Sequence, residues 1–201
     1  MSLNLIMGAQ NDAKTNREEY DFYATHPNTT QNFLTRIKQD GIQIKGKVWE
    51  CCCGKGHMSD VLQKNGYDVF SSDLIDRGYT EQYATGDILN SNFKPLTLPT
   101  DYNIFTNPPY KNIEKYTENF LNRVEIGKHV ILFVKLQFLE GQKRKDIFKQ
   151  YPPKYIYICS KRQQIAINGD FEQYNQASNS MAFCWVIWEK GYKGESVVRW
   201  I

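Results

Sequence analysis

Apolar positions along the chain fall into short runs separated by turn residues, and the runs alternate between helical and extended spacing. Phe33, Leu34 and Ile37 share one face of a segment that Asn28, Thr29 and Thr30 can cap and that Gly41 ends, which predicts a helix. Lys47 to Cys52 reads as a buried strand. A turn at Gly54 and Gly56 follows, then a short helix with Met58, Val61 and Leu62 inward and a stop at Gly66. Tyr67 to Ser72 predicts a second strand that ends at Asp73, and Asp87 lies beyond a further glycine. Tyr102 to Thr106 predicts a strand running straight into Asn107-Pro108-Pro109-Tyr110. Ile113 to Val124 reads as a helix, Val130 to Val134 as a strongly apolar strand, and Gly141 to Gln150 as a helix stopped by Pro152 and Pro153. Tyr155 to Cys159 and Met181 to Trp188 are the last long strands, with Val197 to Trp200 a short addition. Strands alternate with helices until that final pair. The expectation is an α/β domain: a mostly parallel sheet covered on both faces, with an antiparallel hairpin at the end.

Composition narrows the class. The 201 residues are 41% hydrophobic and 23% charged, which excludes disordered, collagenous and coiled-coil chains. The longest apolar candidate, His129 to Leu139, is broken by Lys135 and Gln137 and falls short of the roughly 18–20 residues of a membrane span. The first residues lack a charged segment followed by an apolar core, so no signal peptide is expected and the chain reads as cytoplasmic. Residues 1–20 are polar and aperiodic and read as a flexible arm, with 21–201 as one domain. Net charge is only +3, yet Lys135 to Arg162 carries eight basic and two acidic residues. Such a segment suits phosphate-bearing partners or a solvated helix, and charge alone does not choose between them. Cys51, Cys52 and Cys53 are consecutive, which is not metal-ligand spacing, and no metal site is expected.

Glu50, Cys52, Gly54 and Gly56 stand at the end of the first predicted core strand. Glycine there lets the backbone bend tightly and lets a ligand approach without a Cβ clash. Asp73, at the next strand tip, can accept hydrogen bonds from two ribose hydroxyls, and Asp87 can accept one from an adenine amino group. The run Gly54-Lys55-Gly56-His57-Met58-Ser59 lacks the third small residue of a dinucleotide turn and the Gly-Lys-Ser/Thr of a P-loop. A nucleoside-type ligand without a pyrophosphate fits it, as does a tight turn with no ligand.

Asn107-Pro108-Pro109-Tyr110 occupies the rim of the sheet where open α/β folds bind ligands. Asn107 offers a side-chain carbonyl, and Pro108 offers a backbone carbonyl on a segment stiffened by Pro109. Tyr110 offers a flat ring. Two fixed acceptors suit a substrate –NH₂ group. In adenine the amine lone pair is delocalised, and gripping both hydrogens favours a pyramidal nitrogen aimed at an electrophilic methyl group.

On these residues the chain resembles the class I S-adenosylmethionine-dependent methyltransferases that methylate amino groups. That family carries an acid-x-x-x-Gly-x-Gly turn after its first strand, here Glu50–Gly56, and [DNS]-P-P-[YFW] after its fourth, here Asn107–Tyr110. Phe138-Leu139-Glu140-Gly141 and Arg144 resemble the segment after its fifth strand. The resemblance spans roughly residues 20–190 and is nearest to small phage and prophage DNA adenine methyltransferases. It implies a Rossmann-like seven-stranded sheet and S-adenosylmethionine as cofactor. It also implies ribose contact at Asp73 and adenine contact at Asp87. Tyr23 and Thr25 match a Tyr-x-Thr-Pro element that helps hold the cofactor's amino acid, with His26 inserted before the proline.

Only 91 residues follow Tyr110, and core elements consume most of them. Target contacts would then come from the N-terminal arm, the Lys161–Ser180 connection and the basic helix. Lys143, Arg144, Lys145, Lys161 and Arg162 are the expected phosphate contacts. The reading is methylation of the exocyclic amine of adenine in DNA. RNA adenine, cytosine or a protein glutamine would suit the same chemistry, and a non-catalytic cofactor- or nucleic-acid-binding module is the reading from another class.

Overall fold

The computed structural model describes residues 22–95, 100–167, 169, 171 and 181–201. The expected arm at 1–20, and residues 168, 170 and 172–180 of the long polar connection, lie outside the described residues. The strands are β1 (Tyr23–Thr25), β2 (Lys47–Glu50), β3 (Val69–Asp73), β4 (Gln82–Thr85), β5 (Tyr102–Thr106), β6 (His129–Lys135), β7 (Tyr155–Ile158), β8 (Ile165–Ile167), β9 (Phe183–Glu189) and β10 (Val197–Trp200). The helices are α1 (Pro27–Gln39), α2 (His57–Lys64), α3 (Ile113–Arg123) and α4 (Gln142–Gln150).

The main sheet runs β10-β7-β9-β6-β5-β2-β3-β4, and every pair is parallel except those made by β9. It has eight strands where the sequence suggested seven. β10, the short addition expected at Val197–Trp200, pairs in parallel with β7 from Val197↔Tyr155 to Trp200↔Ile158, and β4 is the main-sheet strand that the pattern did not predict. The antiparallel pair of β7 and β9 is therefore one strand in from the edge. A separate two-stranded ribbon joins β1 to β8.

Burial explains the continuous apolar runs. All of β5, and all of β6 except its ends, are buried, because apolar layers cover both faces. One layer joins Phe33, Leu34 and Ile37 of α1 to Met58, Val61 and Leu62 of α2 and to Phe105 and Trp185. The other joins Phe120 and Leu121 of α3 and Ile147 of α4 to Trp49, Ile104 and Trp188. Phe33 stacks on Trp185 with centroids 4.2 Å apart and planes 10° from parallel. Trp185 and Trp188 are thus core residues, while Trp200 is 60% exposed.

Helix α1 starts earlier than its Asn-Thr-Thr run suggests. Pro27 takes a first-turn position, and His26 Nδ1 accepts the Asn28 N–H at 3.1 Å, so the inserted histidine is the N-cap. A fixed proline φ suits that position, and Thr29 and Thr30 are left free to be buried inside the helix. No described helix is long and apolar enough to cross a membrane.

Chain order reverses between β2 and β5, which are hydrogen-bonded neighbours through Trp49↔Ile104. Beyond the C-terminal ends of such strands an α/β sheet opens a crevice. The tips of β5, β2, β3 and β4 lie side by side there, and each carries part of the candidate site.

The outer edge is tied by Asp40, which follows α1. Its carboxylate accepts from Tyr157 Oη at 2.6 Å, Arg199 at 2.8 Å and Arg36 at 3.0 Å. Burial acts to raise its pKa, but these donors outweigh it and hold the group at about 2. A depressed carboxylate stabilises the fold above its unfolded value of 3.8, and the contribution is lost as pH falls through about 2. Asp40→Asn should therefore lower unfolding free energy by roughly 1.5–3 kcal/mol at pH 7. In denaturant titrations the difference from wild type should shrink between pH 4 and 2, and an equal difference at both ends would contradict this account.

Candidate active site

The glycine turn begins where β2 ends. Gly54 has φ 56° and Gly56 φ 81°, a region glycine enters without strain. A Cβ at Gly54 would collide with the Phe22 ring, and one at Gly56 with the Tyr79 ring. Asp73, at the tip of β3, fixes the turn: its carboxylate accepts the Gly54 N–H at 2.8 Å and the Ile75 N–H at 3.2 Å. Each carboxylate oxygen keeps a further lone pair for a ligand. Burial raises the Asp73 pKa against the pull of these backbone donors. Glu50 is buried and accepts from the Ser59 hydroxyl, which also bonds the Ser71 hydroxyl at 2.7 Å. Burial pushes its carboxyl well above the usual range.

Asn107 follows β5. Its side-chain Nδ2 donates to the Tyr23 carbonyl and to Thr25 Oγ1, each at 3.0 Å. A backbone carbonyl can only accept, so the amide nitrogen must face it and the orientation is fixed. The other end of the amide, Oδ1, is buried and has no hydrogen-bond partner among the described residues. A buried acceptor left unpaired costs about 1–3 kcal/mol.

One cavity of about 280 Å³ joins these elements. It is lined by Tyr23, Thr25, Glu50, Cys52, Asp73 and Asp87. Asn107, Pro108, Pro109 and Tyr110 line it too. Every residue expected in catalysis or cofactor contact is on its wall except Gly54 and Gly56, whose turn is flanked by the lining residues Cys53 and His57. Tyr23 and Thr25, expected to face a cofactor, also carry the Asn107 amide. Asp87 is exposed, and its Oδ1 accepts the Leu89 N–H at 2.8 Å.

Four wall or near-wall groups escaped the sequence reading. Arg77 lies 3.9 Å from Asp73 Oδ1, with its guanidinium 4.4 Å from the centroid of the Phe22 ring. Tyr116, on α3, lines the cavity. Lys135, at the tip of β6, holds its ammonium 4.7 Å from the Tyr110 ring centroid. Lys135 at a strand end was the one visible signal; the contacts of Phe22, Arg77 and Tyr116 depend on packing between distant segments.

The phosphate-contact candidates do not line the cavity. Lys143, Lys145, Lys161 and Arg162 are exposed. Arg144 turns inward, with Nε 3.3 Å from Glu114, a hydrogen bond of 3.3 Å to the Gln137 carbonyl and its guanidinium over Phe138.

The cavity offers acceptors and carboxylates more than donors. It suits a ligand rich in hydroxyl and amino hydrogens or carrying positive charge, and S-adenosylmethionine, with its ribose, its amines and its sulfonium, fits that set. Among the described residues no three His, Cys, Asp or Glu side chains are grouped to hold a metal ion. All five cysteines are free thiols. The neighbouring Cys51 thiol and burial push Cys52 well up, and burial pushes Cys53 up, so neither is poised as a thiolate.

No protein-family model matches the sequence, and no curated protein matches it. Solved structures do. A Listeria monocytogenes protein proposed to be a class I S-adenosylmethionine-dependent methyltransferase is 12% identical, with TM-score 0.56, over 87% of this chain and 64% of that one. A proposed RNA methyltransferase from Pyrococcus horikoshii is 14% identical, with TM-score 0.58, over 85% and 87%. The modification subunit of a proposed type I restriction enzyme from Vibrio vulnificus YJ016 is 12% identical, with TM-score 0.53, over 94% and 48%. The chain thus spans less than two thirds of the Listeria protein and about half of the Vibrio subunit. The shared feature is the fold, and this chain has the Rossmann-like fold seen in class I S-adenosylmethionine-dependent methyltransferases.

Proposed function

We propose that the protein transfers a methyl group from S-adenosylmethionine to the exocyclic amino group of adenine in DNA. The observation that carries this reading is the Oδ1 of Asn107, buried and without a partner among the described residues, on the wall that also carries Asp73 and Asp87. It is an acceptor waiting for an N–H, beside groups suited to a nucleoside cofactor.

When bound, the cofactor supplies an electrophilic methyl carbon on a sulfonium. Asn107 Oδ1 and the Pro108 carbonyl accept the two amino hydrogens of the substrate. That grip draws the nitrogen lone pair out of the ring and holds it in line with the methyl carbon. With the methyl group supplied by the bound cofactor and the S–C electron pair kept on its sulfur, the nitrogen held by Asn107 and Pro108 would release its extra proton to water. Tyr110 stacks the base, which offsets part of the cost of taking it out of a duplex. Asp73 holds the ribose and Asp87 the cofactor's adenine. Burial and the Cys51 thiol favour the thiol form of Cys52, and burial favours that of Cys53, so the reading assigns neither a nucleophilic role.

A nucleic acid is favoured over a protein acceptor by the exposed cations Lys143, Lys145, Lys161 and Arg162, which suit the phosphates of DNA and RNA alike. The fold shared with a restriction-enzyme modification subunit supports the same direction. Incubation with S-adenosylmethionine labelled in its methyl group, separately with DNA, RNA and cell extract, should put label in DNA. Label found only in protein would overturn the DNA assignment.

Two variants should separate the halves of the site. Asn107→Ala should lower the transfer rate by about 10²–10³-fold while cofactor affinity, read by calorimetry, changes little. Asp73→Ala should weaken cofactor binding by about 10–100-fold, the loss expected of hydrogen bonds to a charged group. Unchanged transfer in the first, or unchanged affinity in the second, would contradict these roles.

A further inference from the structure

The geometry points to Thr25 as a positioning residue that aims Asn107, with the β1–β8 ribbon as its strut; this rests on the functional reading above. The amide nitrogen of Asn107 has two hydrogens and two acceptors, the Tyr23 carbonyl and Thr25 Oγ1, both at 3.0 Å. Both acceptors belong to β1, which is not part of the main sheet. The Asn107 side chain is therefore held from outside the sheet that carries its backbone. Rotation of the amide would bring Oδ1 against the Tyr23 carbonyl, two acceptors face to face. The Thr25 hydroxyl fixes the second hydrogen, so the plane of the amide is set as well as its direction.

The strand that does this has three residues and needs support of its own. Tyr23↔Ile167, Ala24↔Ala166 and Thr25↔Ile165 are in antiparallel register. The zip continues past the strand: His26 N–H donates to the Gln164 carbonyl at 3.2 Å, and the Thr29 hydroxyl donates to Gln163 Oε1 at 2.8 Å. Thr25 is 4% exposed and Ala24 5%, so water competes little for these bonds. Segments 23–29 and 163–167 thus form one unit whose inner edge sets the orientation of the proposed amine acceptor. A displacement of about 1 Å at such a group can cost on the order of 10²-fold in rate.

The test compares wild type, Thr25→Val and Thr25→Ser in the full chain. Valine keeps the branched shape and strand preference and removes the hydroxyl; serine keeps the hydroxyl. Thr25→Val should lower kcat about 10–100-fold, a larger change than any in KM for DNA or in the cofactor dissociation constant, and Thr25→Ser should recover most of the rate. Independently of activity, hydrogen exchange followed by NMR should show one Asn107 Nδ2 proton exchanging at least about tenfold faster in Thr25→Val than in wild type or Thr25→Ser. A rate for Thr25→Val within twofold of wild type, a loss explained by weaker cofactor binding, failure of serine to recover the rate, or unchanged amide exchange would each overturn the proposal. If wild type transfers no methyl group to any acceptor, the functional reading fails while the exchange measurement still decides whether Thr25 holds the amide.

Discussion

The side chain of Asn107 is bound at one end and unsatisfied at the other. Its nitrogen is saturated by two acceptors from β1, and its buried oxygen has no partner among the described residues. Folded proteins pair nearly all buried polar groups, so an orphan is an expense that the rest of the fold must cover. Here the surroundings over-determine it. Thr106 is wholly buried just before Asn107, Pro108 and Pro109 follow it, and Tyr23 and Thr25 hold the amide. A polar group kept without a partner among the described residues by so many constraints is oriented by folding itself, which is what the proposed reaction would need of it.

The sheet topology turns this local constraint into a site. Four adjacent strand tips place, in spatial order, Asn107 after β5, the glycine turn after β2, Asp73 at the end of β3 and Asp87 after β4. Asp73 also reaches across to the glycine turn through Gly54 N–H, so the shape of the turn and the acid beside it are set by one hydrogen bond. Glu50 and Asp73 share a buried wall, and burial favours the neutral form of both carboxyls. A positively charged ligand bound beside them would favour their ionised forms instead.

Much of this was legible in the chain. The central strands are buried on both faces and so read as unbroken apolar runs: the predicted Tyr102–Thr106 strand is β5 residue for residue, and β6 extends its predicted run by one residue at each end. The Asn-Pro-Pro-Tyr corner and the glycine turn were visible because their chemistry depends on neighbours in sequence. The short elements were not. β1 and β8 have three residues each, too few for a period, and exist because they pair with one another. β4 is an edge strand with half-exposed and exposed positions alternating, which resembles a loop. The second task of Thr25 was hidden for the same reason, since its partner is 82 residues away. Arg144 looked like a free cation in a basic run, but Glu114 meets it only after α3 and α4 pack together.

The chemical position of the transferred methyl group tests the account most directly. DNA can be incubated with the wild-type protein and S-adenosylmethionine bearing a CD₃ group, digested to nucleosides and examined by mass spectrometry. An acceptor pair that grips an NH₂ group predicts the label on an exocyclic amine, N6 of adenine in the proposed reading, with all three deuterium atoms retained. Label on the C5 carbon of cytosine, or a DNA fraction with none, would contradict it.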